Sequence, residues 1–187
     1  MTQHSFASVG RTAPMTHHAS CAARGGAGVL LCGPPGSGKS DLLLRLLDAG
    51  YELVADDRVI LDGGRACAPE ALAGILEIRG IGLVRRPFRP SARVALVVDC
   101  APGHVGDRLP QPAARDARTD APCLTLDPFH ASAVARIGVV LDCLAGTCQP
   151  LAGLLGDAPD AHVRSPALSP ACASAPAPLL DVSPNDV

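Results

Sequence analysis

Val29-Leu30-Leu31-Cys32 runs directly into Gly33-Pro34-Pro35-Gly36-Ser37-Gly38-Lys39-Ser40, and the next residues, Asp41–Ala49, carry Leu42, Leu43, Leu46 and Leu47. A short apolar run, a glycine-rich turn and a helix-period leucine face follow one another without a gap. The stretch predicts a buried strand, a tight loop and an amphipathic helix that Gly50 stops. The loop matches GxxxxGK[ST] at every fixed position. Glycines let backbone N–H groups converge on phosphate oxygens, and the start of the helix adds the positive end of its dipole. Lys39 supplies a point charge for the β- and γ-phosphates, and the Ser40 hydroxyl suits Mg²⁺, which favours oxygen ligands. Gly33, Pro34, Pro35, Gly36, Ser37, Gly38, Lys39 and Ser40 are therefore the candidate nucleotide site, with ATP the expected ligand. Lys39 is the single lysine among 16 basic residues. In a chain that otherwise uses arginine, this position keeps the compact ammonium.

Downstream, Glu52-Leu53-Val54-Ala55 reads as a strand ending in Asp56-Asp57-Arg58. If that strand runs parallel to 29–32, a right-handed crossover brings both carboxylates to the rim that holds the loop. Adjacent strand residues point to opposite faces, so one acid is available to a cation and the other to a proton from an incoming hydroxyl. Asp99, after Val94–Val98, is a competing acid, and its plainer reading is a strand-ending aspartate. Ile75-Leu76-Glu77-Ile78-Arg79-Gly80-Ile81-Gly82 predicts a strand over 76–79 with Glu77 and Arg79 on one face. Taken alone, a salt-bridged strand edge explains that face equally well.

Further strands are expected near 17–23, 58–61 and 124–126, and a helix over 131–144. Strands alternating with helices make the fold α/β, with a parallel or mixed sheet. The organisation read from the text is a disordered start over 1–15, a catalytic domain over 16–148 and a Pro/Ala-rich disordered tail over 149–187.

The composition closes several doors. Net charge is −2 and aromatics are 2% of the 187 residues, which leaves neither a basic field nor a stacking surface for nucleic acid. No run approaches the length of a membrane span, and the first residues lack the apolar core of a secretory leader, so the expected location is cytoplasmic. The 8 cysteines contain no CxxC pair, and reduced thiols are the expected state rather than a zinc site.

His17-His18-Ala19-Ser20, the loop 33–40, Leu53-Val54-Ala55-Asp56-Asp57-Arg58 and Leu76-Glu77-Ile78-Arg79-Gly80-Ile81-Gly82 together resemble the catalytic C-terminal domain of the HPr kinase/phosphorylase family, over about residues 16–145. The resemblance implies a P-loop kinase domain with a mixed sheet, of the phosphoenolpyruvate carboxykinase-like fold. It implies ATP- and Mg²⁺-dependent phosphorylation of a serine on an HPr-like phosphocarrier protein of the phosphotransferase system, with reversal by phosphorolysis in some members. By the same resemblance His18 matches an active-site histidine, Lys39 the loop lysine, Asp57 the general base, and Ser40 and Glu77 the Mg²⁺ ligands. Arg108 is the candidate catalytic arginine, with Arg115 and Arg118 as substitutes. On sequence alone His17 is as eligible as His18. Longer members form hexamers, so a homo-oligomer belongs to the expectation. Two other readings of the same residues are a P-loop kinase for a small molecule and an ATP-binding sensor without transfer.

Overall fold

The structure is a computed structural model and describes residues 15–156. The strands are β1 (Met15–His18), β2 (Ser20–Arg24), β3 (Ala27–Cys32), β4 (Glu52–Ala55), β5 (Arg58–Asp62), β6 (Arg65–Cys67), β7 (Ile75–Ile78), β8 (Gly82–Arg85), β9 (Ala92–Cys100) and β10 (Cys123–Leu126). The helices are α1 (Lys39–Asp48) and α2 (Ala133–Leu144). The main sheet has the order β1-β5-β6-β9-β3-β2-β4, with β10 also paired to β9, and β7 and β8 form a separate hairpin. β3 is parallel to β9 and β9 to β10, whereas β2 is antiparallel to both β3 and β4. The sheet is therefore mixed, as expected. β4 runs in the direction of β3, but β2 lies between them, so two antiparallel pairings carry the chain end of β4 to the loop's rim.

Packing on the two faces differs because the side chains differ. On one face Leu42, Leu43, Leu46 and Leu47 of α1 and Ile137 and Leu141 of α2 close over Leu31, Leu96 and Val98. Burying each of these leucines contributes about 2 kcal/mol. The other face is built from small residues: Ala19, Ala23, Ala55, Ala66, Ala92 and Ala121 pack around Leu30, Val54 and Val97. The expected strand over 17–23 is two strands: the pairing is interrupted at Ala19, with β1 paired to β5 and β2 to β3 and β4.

Two expected boundaries move. Arg79 is not on a strand face beside Glu77: β7 ends at Ile78, and the Ile81 N–H donates to the Ile78 carbonyl at 2.9 Å, which puts Arg79 in the turn of the hairpin. Helix α2 starts at Ala133 rather than 131, because the preceding residues are taken up by turn hydrogen bonds from His130 N–H to the Asp127 carbonyl and from Ala133 N–H to the His130 carbonyl. Of the expected tail, residues to 156 are described, and the Ala113 N–H donates to the Leu154 carbonyl at 2.7 Å. The rest of that tail, 157–187, and residues 1–14 lie outside the described residues. Among the described residues no helix is long and apolar enough to cross a membrane.

Candidate active site

The glycine-rich loop joins β3 to α1 at the carboxyl edge of the parallel strands. Gly33 has a φ of 140°, and a Cβ there would stand 2.6 Å from Ser37 Oγ and 2.9 Å from the Cys100 carbonyl oxygen. Only glycine fits that fold of the loop. Lys39 is buried, and its Nζ donates to the Gly33 and Pro34 carbonyls, both at 2.9 Å. Gly38 precedes α1 with a φ of 86°, and no side chain caps the helix. The N–H groups of the first turn are thus left without a side-chain partner, the arrangement that receives an anion. The Ser37 hydroxyl is buried without a hydrogen-bond partner.

The acidic doublet is made by a tight turn. Arg58 N–H donates to the Asp56 carbonyl at 2.7 Å, closing three residues around Asp57, whose φ is 63°. A non-glycine residue in that region is strained, and the strain aims consecutive carboxylates in different directions. Asp56 is buried. Its Oδ1 accepts the Ser20 hydroxyl at 2.8 Å and lies 3.5 Å from Ser40 Oγ. Asp57 turns outward and meets His18, with Nδ1 3.0 Å from Oδ1. His17 does not share this contact; it lines a smaller neighbouring pocket of about 240 Å³, together with Thr16, His18, Asp57 and Arg58.

These groups face one cavity of about 450 Å³, whose lining includes His18, Ser20, Lys39, Ser40, Asp57 and Glu77. Glu77 is exposed and makes no ion pair among the described residues. Arg79 also lines the cavity, from the hairpin turn. The structure does not bring Arg108 to it: Arg108 lies exposed in the connection between β9 and β10. The two substitutes are engaged elsewhere, Arg115 with Asp120 at 2.9 Å and Arg118 with Asp116 at 2.6 Å. Arg118 also reaches Cys32 Sγ at 3.8 Å. Asp99 sits level with Cys32 on β9, one residue before the buried Cys100 of the helix-covered face. Alternation therefore turns it to the opposite face, away from α1 and the cavity.

Sequence reasoning assigned Ser20 no role, and from the residues alone it left open which of Asp56 and Asp57 faces a cation and which a proton. The signal for Ser20 and Asp56 was present, since Ser20 follows the histidine pair and Asp56 precedes the base candidate. The buried hydrogen bond between them joins residues 36 apart, and no spacing rule reveals that.

Residues 11–88 match the family described as HPr Serine kinase C-terminal domain. Over those residues the chain is similar to the HPr kinases. It is 45% identical over 75 residues to an HPr kinase/phosphorylase of Xylella fastidiosa (strain M12), covering 35% of this chain and 23% of that protein. It is 40% identical over 86 residues to an HPr kinase/phosphorylase of Geobacillus kaustophilus, covering 40% and 28%. The chain thus spans roughly a quarter of the curated HPr kinases it matches. Among solved structures, the Hpr(Ser) kinase/phosphatase from Coxiella burnetii superposes with a TM-score of 0.56 at 23% identity, over 71% of this chain and 89% of that one. At that identity the likeness speaks to the fold. The HPr kinase match includes the loop, the acidic doublet and Glu77, and ends before Arg108.

Proposed function

We propose that the chain is an ATP- and Mg²⁺-dependent protein serine kinase that phosphorylates an HPr-like phosphocarrier protein of the phosphotransferase system, acting in the cytoplasm from a P-loop domain of the phosphoenolpyruvate carboxykinase-like kind. The observation that carries the reading is the convergence of Lys39, Ser40, Asp57 and Glu77 on one cavity beside a helix with no side-chain cap. The kinase names of the relatives support it.

The residues present fit a triphosphate. The first turn of α1 offers free N–H groups, the Ser37 hydroxyl is buried without a partner, and the Gly33 backbone leaves no space for a Cβ. Ser40 and Glu77 would hold Mg²⁺, an oxygen donor set suited to that cation, with Asp56 fixing the Ser40 hydroxyl from behind. The ion would supply charge neutralisation at the phosphate oxygens.

In the forward direction Asp57 accepts the serine proton as the hydroxyl oxygen attacks the γ-phosphorus. The new serine O–P bond forms while the bond from the γ-phosphorus to the β,γ-bridging oxygen breaks, and ADP leaves. Lys39 contributes positive charge along the phosphates. Arg79, the guanidinium on the cavity wall, takes the charge-stabilising role first expected of Arg108. His18 holds the Asp57 carboxylate in its outward position through the 3.0 Å contact. In reverse, an oxygen of inorganic phosphate attacks the phosphoserine phosphorus, the serine O–P bond breaks as protonated Asp57 donates its proton to the leaving serine oxygen, and pyrophosphate is released.

The test is incubation of the protein with labelled ATP and Mg²⁺, with and without a purified HPr-like carrier. The expected result is carrier-dependent label that survives acid, as phosphoserine does and phosphohistidine does not. Asp57→Asn is expected to bind ATP and transfer nothing. Label appearing on a small metabolite, or ATP binding without any transfer, overturns the assignment.

A further inference from the structure

The cavity's lining is of two kinds. Lys39, Ser40, Asp57 and Glu77 are polar or charged, and Leu44, Ile78 and Phe129 give it apolar surface. Phe129 is one of three phenylalanines in a chain without tryptophan, and it leaves 56% of its surface open. Its ring rests on the loop backbone: a Cβ at Gly38 would lie 2.8 Å from Phe129 Cζ and 2.9 Å from Pro128 Cγ.

The exposed ring is carried on a fastened segment. Arg45 of α1 donates to the Pro128 carbonyl and, at 3.4 Å, to the His130 carbonyl. Arg45 is itself tied to Asp41 at 3.1 Å, one turn earlier on the helix. The Phe129 N–H donates to Asp127 Oδ1 at 2.9 Å. The helix that begins at the loop therefore also holds the aromatic ring over the loop's last glycine. An apolar face of this size, open to water in the lining of a largely polar cavity, gains burial when a flat ring covers it.

We propose that Phe129 is the stacking platform for a purine base, with Leu44 and Ile78 completing the apolar wall, while the loop 33–40 takes the phosphates of the same nucleotide. The proposal rests on the nucleotide reading of that loop and adds to it the base subsite. Phe129 lies outside the residues matched to the family, 11–88.

The test separates base from phosphate. Calorimetry in Mg²⁺ buffer measures binding of ATP and of inorganic tripolyphosphate to the full chain and to Phe129→Ala, Phe129→Leu and Phe129→Tyr. The expected result is a loss of ATP affinity of about tenfold in Phe129→Ala and Phe129→Leu, the scale of one base–aromatic stack, with tripolyphosphate affinity unchanged. Phe129→Tyr retains ATP affinity. Phe129→Trp introduces the chain's sole tryptophan, and its fluorescence is expected to respond to ATP and not to tripolyphosphate. ATP and tripolyphosphate weakening together would assign the ring to propping Gly38, and ATP binding unchanged in all variants would remove it from the site; either result overturns the proposal. A wild-type chain that binds neither ligand refutes the nucleotide reading itself, a failure distinct from both.

Discussion

His18 Nδ1 stands 3.0 Å from Asp57 Oδ1, with both side chains about half open to solvent. Strand register makes the contact. His18 lies opposite Arg58 in the β1–β5 pair, so its ring falls beside the residue just before that strand. A slip of one residue would exchange His18 for His17 and turn the ring to the other face. His18→Ala is expected to lower the rate of transfer about tenfold with ATP affinity unchanged, because it frees the carboxylate without removing it. Asp57→Asn removes the proposed proton acceptor and is expected to cost about 10²–10⁴. Single-turnover kinetics of the two variants, with His18→Gln as the variant that keeps a side-chain N–H donor, checks the order. A His18→Ala rate as low as that of Asp57→Asn would give the ring a direct part in proton transfer.

The strain at Asp57 yields a prediction of stability in the opposite sense from activity. Its φ of 63° is open to glycine and costly for a residue with a Cβ. Asp57→Gly and Asp57→Ala both lose the contact with His18, so the difference between them isolates the backbone. Asp57→Gly is expected to be more stable than Asp57→Ala by about 1 kcal/mol, and both are inactive. Urea denaturation of the pair measures the difference. Equal midpoints would show that the turn relaxes at no cost.

Much of this arrangement was legible in the residues. The apolar run, loop and leucine face of 29–49 specify their own structure, because hydrophobic period and turn chemistry agree there. Asp56 and Asp57 reach the loop because chain direction follows from the crossover, whichever strand lies between. What local pattern could not give was pairing partners and reach. The break at Ala19 separates a half that pairs with β5 from a half that pairs with β3 and β4, and no local period marks that change of partner. That Arg79 and not Arg108 lines the cavity depends on how an irregular connection and a hairpin turn run in space, and neither has a period to read. Phe129 follows the same rule, since only its fastening by Arg45 from 84 residues away brings it over Gly38.

The connection between β9 and β10 carries its own acid-sensitive clasp. Hydrogen bonds from the Arg118 side chain, with Thr119 and the Arg118 backbone N–H adding to them, hold the Asp116 carboxyl below the ordinary carboxylate range. A depressed folded-state value stabilises above the unfolded value, near 3.8, and that stability is lost as pH falls through the folded value. Asp116→Asn is therefore expected to be less stable than wild type by about 1 kcal/mol at neutral pH. The deficit should begin to shrink as pH falls below the unfolded value and close as pH falls through the depressed folded value, where the wild-type carboxylate takes up its proton too. Thermal melts of both proteins between pH 7 and pH 3 follow the gap. A gap independent of pH would show that the loop is held by its shape and not by the charge.

The thiols should divide sharply by reactivity. Burial pushes Cys21 up to about 12, with the neighbouring Cys32 adding to it, and burial likewise pushes Cys100 up to about 12 against the opposing charge of Lys39. Both remain protonated at pH 8 and lie in the packed sheet, whereas Cys148 is exposed. Because the thiolate is the reacting form, iodoacetamide at pH 8 is expected to modify Cys148 within minutes and to leave Cys21 and Cys100 unmodified until the chain unfolds. The same raised values fix the sign at the alkaline end. A thiol whose folded value is lifted from 9.0 to about 12 keeps its proton longer in the folded chain than in the unfolded one. The associated stability is complete below pH 9 and falls as pH rises toward 12. Peptide mapping after timed alkylation of the native protein reads the first part, and denaturation midpoints at pH 8 and pH 10 read the second. Labelling of Cys100 at the rate of Cys148 would mean that the sheet beneath the glycine-rich loop opens in solution, and the packing that anchors Lys39 would have to be reassigned.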